Sequence, residues 1–254
     1  MRAPTRARRL VVLLIGLALL ASACGRASRA GPTEAPAGSV PVTFRSPDRV
    51  ALAGRLFGDP ARARTGVVFA HMLPADQSSW FAFADRIAGE GYLALTFDFR
   101  GYCPGGDAGC SDGERDVSAD AVDLAAAVAY LRSRGVQTVA VVGASMGGTA
   151  ALLVAADQGD RIAAVITLSA PQSIEGLVAG PDVLARISAA TLFVAGTGDG
   201  AAAAAAQAFS EQAQAPRRLE IVTSDDHGTD LLTGNQAEIV RTLLLSELAQ
   251  YAPA

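Results

Sequence analysis

The chain has 254 residues, a formal net charge of −4 and a hydrophobic content of 50%. These values fit one α/β domain, or two small ones, with a sizeable core, and the acidic balance gives a nucleic-acid partner no electrostatic support. All 21 basic residues are Arg, which excludes lysine Schiff-base chemistry and a P-loop lysine.

Residues 1–23 are predicted to be a signal peptide rather than part of the fold. A basic start is followed by an apolar run at 10–21, which is shorter than the ~18 residues of a membrane-spanning helix. Small residues then lead to Cys24, and this pattern resembles a bacterial lipoprotein signal. The resemblance implies cleavage before Cys24, its acylation, and export to the outer face of the cell membrane, where the lipid anchors the protein. The alternative is a plain secretory signal cut near Cys24, which gives a secreted protein.

Residues 24–39 are rich in Gly, Pro, Ala and Ser and are predicted to be a flexible tether before a single domain at 40–254. Two further cysteines, Cys103 and Cys110, lie in a Gly- and Pro-rich loop. In an oxidising compartment they can form a disulfide; the alternative is two free thiols. Three Cys and two His are too few for most Cys/His metal clusters, so we expect no metal.

From residue 40 onward, short β-rich segments alternate with longer helical ones. The predicted strands are 40–44, 52–57, 66–70, 91–97, 139–142, 162–168, 192–195 and 219–222, and the predicted helices are 79–89, 116–133, 146–158, 201–213 and 237–251. The first two strands are expected to be antiparallel. Strands that are apolar throughout are typical of a parallel sheet covered on both faces by helices. The pattern therefore predicts an α/β fold with a mostly parallel, doubly wound sheet of about eight strands.

In such sheets ligands bind beyond the carboxyl ends of the strands. Residues 143–147, Gly-Ala-Ser-Met-Gly, follow one predicted strand, precede a helix and match the G-x-S-x-G elbow. The elbow needs a sharp turn between small neighbours, and it places Ser145 at a helix N-terminus that favours developing negative charge. Residues 109–113 also match, but they follow a loop rather than a strand, so Ser111 is interpreted as a loop residue.

A serine nucleophile needs a base near neutral pH, and the two histidines are the candidates. In chains with this elbow the order is Ser, acid, His. This order selects His227, which follows the last predicted strand, over His71, which lies upstream of Ser145.

The acid is expected between Ser145 and His227, directly after a strand. Asp199 fulfils this, and its carboxylate would hold the imidazole tautomer and stabilise the imidazolium. The alternative is a turn aspartate between two glycines. Glu175, Asp225 and Asp226 are rivals, although the first lies away from a strand end and the other two lie too near His227.

The oxyanion hole needs backbone N–H groups, one of them directly after the nucleophile. Met146 supplies that group. The second is expected from the loop after the third strand, where Leu73 is the first choice and Met72 the alternative. His71 is then expected to shape this loop.

Together with Asp98-Phe99-Arg100-Gly101, these motifs make residues 40–252 similar to small α/β-hydrolases of the serine-esterase and dienelactone-hydrolase kind. In that family the Asp-x-Arg-Gly segment is a structural turn, which implies no catalytic role for Asp98 or Arg100. The family usually has His-Gly where this chain has His71-Met72. This chain has serine at position 145, where a dienelactone hydrolase in the strict sense has cysteine.

Cap domains of the family are usually inserted after the sixth strand. Here residues 172–190 leave room for one short helix, so we expect a minimal cap and an open site. Four apolar side chains could contact a substrate or pack in the core or on the surface: Trp80, Leu177, Val178 and Leu184.

The sequence as a whole predicts a serine hydrolase that cleaves a small-molecule carboxylic ester through an acyl-enzyme intermediate and needs no cofactor. One alternative is acyl transfer or amide cleavage on an envelope component. Another is a non-catalytic binding lipoprotein on a hydrolase scaffold, since a fold does not imply a function.

Overall fold

The computed structural model describes residues 33–214 and 216–254. The predicted signal peptide, the proposed lipid-bearing Cys24 and the first part of the predicted tether lie outside these residues. In the described part of the chain, no helix is both long enough and apolar enough to cross a membrane.

Strands and helices alternate through the described chain as the periodicity predicts. The strands are β1 Val40–Arg45, β2 Ala51–Phe57, β3 Thr65–Ala70, β4 Leu93–Phe97, β5 Thr138–Ala144, β6 Ala164–Leu168, β7 Ser173–Ile174, β8 Leu177–Val178, β9 Ala190–Gly196 and β10 Arg217–Val222. The α-helices are α1 Phe81–Gly89, α2 Asp120–Ser133, α3 Met146–Gln158, α4 Pro181–Leu184, α5 Gly200–Gln212 and α6 Ala237–Tyr251. Short 3-10 helices lead into α1, α2 and α6.

The main sheet has eight strands in the order β1-β2-β4-β3-β5-β6-β9-β10. β1 and β2 pair antiparallel, as do β2 and β4, and the other neighbours are parallel. Every residue of β3, β4, β6 and β9 is buried, because helices cover both faces of the sheet. The predicted fold class is therefore confirmed.

Two strands begin two residues later than predicted, for a local reason. The strand predicted from Gly91 begins at Leu93, because Gly91 has a φ of 102° and the N–H of Tyr92 still bonds the carbonyl of Ile87 in α1. The strand predicted from Ile162 begins at Ala164, since the Ile162 N–H closes a turn with Gly159. In both cases the chain is still leaving a helix.

The segment between β6 and β9 contains more structure than the single short helix that we predict. β7 and β8 form a small antiparallel hairpin, in which Ser173 pairs with Val178 and Ile174 with Leu177, and α4 follows. Two-residue strands are too short to show an alternating pattern. The cap over the sheet is nevertheless minimal, as expected.

The two loop cysteines are joined, so the predicted Cys103–Cys110 disulfide is present. The described end of the predicted tether, residues 33–39, contacts the domain. The Ala35 N–H donates to Asp107 Oδ2 at 2.7 Å, and Arg55 Nε donates to Ser39 Oγ at 2.7 Å. This part of the segment therefore packs against the disulfide loop and β2.

Candidate active site

Ser145 occupies a strained turn between β5 and α3. Its φ is 48° and its ψ is −118°, a backbone conformation that a residue with a side chain rarely adopts and that costs about 1–3 kcal/mol. The turn is held by the Ser145 N–H, which donates to the carbonyl of Leu168 in β6 at 2.8 Å. Ser145 therefore lies in a sharp turn that follows a strand and precedes a helix, as the sequence predicts for the elbow.

Two glycines make this turn possible. A side chain at Gly143 would overlap the carbonyl oxygen of Gly147, so helix α3 could not begin so close to β5. A side chain at Gly147 would place its Cβ 2.5 Å from the carbonyl oxygen of Ala70 and 2.6 Å from that of His71. The glycines therefore let the elbow lie directly against the end of β3 and the loop that follows it.

His227 and Asp199 are in direct contact. Asp199 follows β9, His227 follows β10, and His227 Nδ1 lies 2.6 Å from Asp199 Oδ2. With the proton on Nδ1, the carboxylate accepts this hydrogen bond and Nε2 keeps a lone pair that can accept a proton. The His227 side chain is 42% exposed and that of Asp199 is 17% exposed, so Nε2 remains on an accessible ring.

The three rival carboxylates lie elsewhere. Asp226 Oδ2 accepts a hydrogen bond from Ser224 Oγ at 2.6 Å. Asp225 packs against Gly198, where any side chain would overlap its Oδ1. Glu175 is exposed and lies 3.6 Å from Arg115. The structure thus brings Asp199, and none of these three, to the imidazole.

Ser145, Asp199 and His227 line one cleft of about 390 Å³. The His227 loop packs on the elbow, because a Cβ on Gly228 would lie 3.4 Å from Ala144 Cβ. Within residues 33–214 and 216–254, Ser145 Oγ and the His227 ring are not hydrogen-bonded. In hydrolases without substrate this bond is often long and shortens only in the complex.

The two predicted oxyanion-hole donors are free to bind a ligand. Across the described residues, the N–H groups of Met146 and Leu73 donate to no protein atom, and that of Met72 is equally free. The Met72 side chain occupies the space beside Gly228, where a Cβ would overlap its sulfur. Leu73 and Met72 thus both remain candidates for the second donor.

Comparison with known proteins agrees with this fold. Residues 66–184 match the family model for the alpha/beta hydrolase fold. A Pyrococcus furiosus esterase superposes with a TM-score of 0.67 at 17% identity, covering 84% of this chain and 92% of that one. The Anabaena variabilis dienelactone hydrolase gives 0.68 at 22% identity, covering 84% and 97%. This chain is an α/β-hydrolase-fold protein.

A third structure, an esterase from Exiguobacterium antarcticum, superposes on this chain with a TM-score of 0.63 at 18% identity, covering 82% of this chain and 98% of that one. No curated protein sequence matches the chain. At these identities the structural likeness defines the fold, and the chemistry must be argued from the site itself.

The second histidine of the protein lies in its interior. His71 is fully buried; its Nδ1 lies 3.1 Å from the carbonyl oxygen of Met72, and its Nε2 accepts the N–H of Phe99 at 3.2 Å. Burial lowers the pKa of His71 to about 4, so the ring is neutral near pH 7. His71 thus connects the loop after β3 to the residues that follow β4, which agrees with the loop-shaping role expected from the sequence.

The Asp-x-Arg-Gly segment and Ser111 belong to the framework of the fold. Asp98 accepts hydrogen bonds from the backbone and side chain of Gln77, and burial raises the pKa of Asp98 to about 7. Arg100 binds the carboxylate of Asp123. Ser111 Oγ donates to the Asp98 carbonyl at 2.6 Å and accepts the Ala53 N–H at 2.9 Å, which leaves it no free role as a nucleophile.

The four apolar side chains singled out in the sequence pack in the core or lie on the surface, which is the second of the two interpretations given for them. Trp80, Leu177 and Leu184 are buried in the core and Val178 is exposed, and none of the four lines the cleft. The lining residues besides Ser145, Asp199 and His227 are small or polar: Ser169, Pro171, Gln172, Ser173, Ala201, Ala202, Ala204 and Ala205. Ser169 is missed by sequence reasoning, although the rule that ligands bind after strand ends could have drawn attention to it.

Proposed function

We propose that this α/β-hydrolase cleaves carboxylic esters through an acyl-enzyme intermediate on Ser145. The observation that carries the proposal is the 2.6 Å contact of Asp199 with His227 Nδ1, at the edge of the cleft that Ser145 lines. This contact leaves Nε2 free to accept the serine proton.

In the proposed reaction, Ser145 Oγ attacks the ester carbonyl carbon while His227 Nε2 takes its proton. The negative oxygen of the tetrahedral intermediate accepts hydrogen bonds from the N–H groups of Met146 and Leu73. The imidazolium then protonates the leaving alcohol, and the acyl group stays on Ser145. His227 next deprotonates a water that attacks the acyl carbon, and Ser145 recovers its proton. All protons move between these groups and water, so no cofactor is invoked.

The comparisons support ester hydrolysis in particular. Two of the solved structures with this fold are named as esterases and one as a dienelactone hydrolase. An ester is a suitable substrate because a serine whose proton is taken up by an adjacent base can attack an acyl carbon.

The test is covalent labelling with a fluorophosphonate, followed by peptide mapping. We expect the label on Ser145, and Ser145→Ala should lose both the label and hydrolysis of 4-nitrophenyl acetate. Ser246→Ala, which removes an exposed serine of α6 that does not line the cleft, should retain both. A wild-type protein that does not label, or Ser145→Ala that still does, would contradict the proposal and favour a binding protein. Product analysis with an added alcohol separates hydrolysis from acyl transfer.

We further propose that the protein is exported and lipid-anchored at Cys24. The support is the pattern of residues 1–24 together with the Cys103–Cys110 disulfide, since disulfides persist in oxidising compartments. In bacterial cells fed with labelled palmitate, the wild type and Cys103→Ser should incorporate the label and Cys24→Ser should not. Unlabelled wild-type protein in the medium would instead indicate a plain secretory signal.

A further inference from the structure

Ser169 lies beside the proposed nucleophile at the carboxyl edge of the sheet. β5 and β6 are parallel neighbours, and Ala144 is paired with Leu168. Ser145 and Ser169 are the next residue on each strand, and neighbouring strands lie roughly 4.8 Å apart. Both serines have a positive φ, 48° for Ser145 and 53° for Ser169. The two hydroxyl-bearing residues therefore leave the sheet side by side, and both line the cleft.

The hydroxyl of Ser169 has no partner in the described parts of the chain. The residue is 0% exposed, and its Oγ makes no hydrogen bond. Its backbone is held independently, because the Ser169 N–H donates to the carbonyl of Val194 at 2.8 Å. A buried hydroxyl without a partner destabilises a protein, and glycine adopts a positive φ with less strain. Because Ser169 lines the cleft, rotation of its side chain can present this hydroxyl to a molecule bound there.

The position of Ser169 limits which substrate atom it can reach. During the proposed reaction the acyl carbon is bonded to Ser145 Oγ, so a hydroxyl from the adjacent strand end lies close to the substituents on that carbon. A hydroxyl both donates and accepts hydrogen bonds. Alanines of α5, such as Ala201 and Ala205, also line the cleft, and their side chains cannot make hydrogen bonds.

We infer that Ser169 determines specificity by binding an oxygen on the carbon next to the scissile carbonyl, so that the enzyme prefers 2-hydroxyacyl or 2-oxoacyl esters to plain alkyl ones. This inference rests on the proposed function. Gln172 and Ser173, which are exposed at the same wall, extend the polar surface away from the reacting carbon.

The test compares two esters that differ in one hydroxyl, 4-nitrophenyl lactate and 4-nitrophenyl propionate. In Ser169→Ala, kcat/KM for the lactate should fall about tenfold, while that for the propionate changes less than about threefold, as expected for one lost hydrogen bond. Ser169→Gly removes the same hydroxyl and relaxes the backbone, so it gives the same readout should the alanine variant fail to fold.

Thr191→Val is the matched control. Thr191 Oγ1, in β9, is another buried hydroxyl without a partner among the described residues, but Thr191 does not line the cleft. Its removal should leave the ratio of the two kcat/KM values unchanged. A similar shift of the ratio in this variant would mean that the effect of Ser169 is structural and would overturn the inference.

The remaining outcomes separate this inference from the proposed function. Equal losses for both esters, or no loss for either, would overturn the role of Ser169 and leave the nucleophile in place. A protein that a fluorophosphonate labels at Ser145 but that hydrolyses neither ester would overturn the substrate class alone. A wild type that neither labels nor hydrolyses would overturn both proposals.

Discussion

His227 Nδ1 and Asp199 Oδ2 lie 2.6 Å apart although the two residues are separated by 28 positions in the sequence. They follow β10 and β9, which are parallel neighbours in the sheet. The two residues therefore emerge at the same edge, next to each other. Their contact sets which ring nitrogen carries the proton, and so links the strand order directly to the proposed chemistry.

Asp199→Asn tests this contact. An amide can donate its own hydrogen to Nδ1, which favours the tautomer with a proton on Nε2 and removes the base. We expect kcat for 4-nitrophenyl acetate to fall by about 10³–10⁴-fold, with KM changed less than about threefold. Asp225→Asn, which alters a carboxylate that does not contact the ring, should retain activity within about threefold. A larger loss in Asp225→Asn than in Asp199→Asn would show that Asp199 is not the acid of the site.

Gly147→Ala tests the packing of the elbow. The new Cβ would lie 2.5 Å from the Ala70 carbonyl oxygen, so either α3 or the loop after β3 must move. We expect a loss of about 1–3 kcal/mol in the free energy of unfolding, measured in urea, and at least a tenfold loss of kcat/KM. Gly89→Ala, at the end of α1 with open space around it, should have neither effect. Wild-type stability and activity in Gly147→Ala would contradict this account of the elbow.

Asp120 should make stability depend on pH. Its Oδ2 has no partner within the described residues, and burial, with a smaller contribution from the Asp123 carboxylate, raises the pKa of Asp120 to about 8. The pKa of an aspartate in the unfolded chain is about 3.9. The stabilising contribution is therefore complete below about pH 4 and is lost as the pH rises to about 8, because the unfolded chain releases its proton first.

Asp120→Asn removes this ionisation and keeps the shape of the side chain. The free energy of unfolding of Asp120→Asn minus that of the wild type should increase between pH 4 and pH 8 and then level off. Urea unfolding at one-unit intervals measures it. Asp85→Asn, on the exposed side of α1, should change stability by less than about 0.5 kcal/mol at every pH. A difference for Asp120→Asn that does not vary with pH would show that the carboxyl is ionised in the folded state.

The disulfide should stabilise the loop that contacts β2. Cys103 and Cys110 close a short loop, and a cross-link of this length contributes about 2 kcal/mol, chiefly by restricting the unfolded chain. The double variant Cys103→Ser, Cys110→Ser should therefore melt roughly 4–8 °C lower than the wild type. Dithiothreitol should lower the melting temperature of the wild type to the same value and leave the double variant unchanged. If dithiothreitol lowered the melting temperature of both proteins, the loss in the wild type would have a cause other than the disulfide.

Local patterns in the sequence were sufficient for much of this molecule. Short apolar and β-rich runs predicted the strands, and α3 and α6 begin and end where the periodicity places them. Ser145 could be chosen over Ser111 because a strand precedes only the former. Each of these conclusions depends on residues within a few positions of one another, where backbone geometry and hydrophobic period act directly.

What the tertiary structure decided depends on which strands become neighbours. The order of β5, β6, β9 and β10 places Ser169 beside Ser145 and selects Asp199 from four carboxylates. Pairing between parallel strands joins segments far apart in the chain, and no local period encodes it. The sequence by itself therefore determined the helices, the strands and the candidate reactive residues. Packing of the sheet determined which of these side chains meet, because the strand order is selected when helices bury both faces of the sheet.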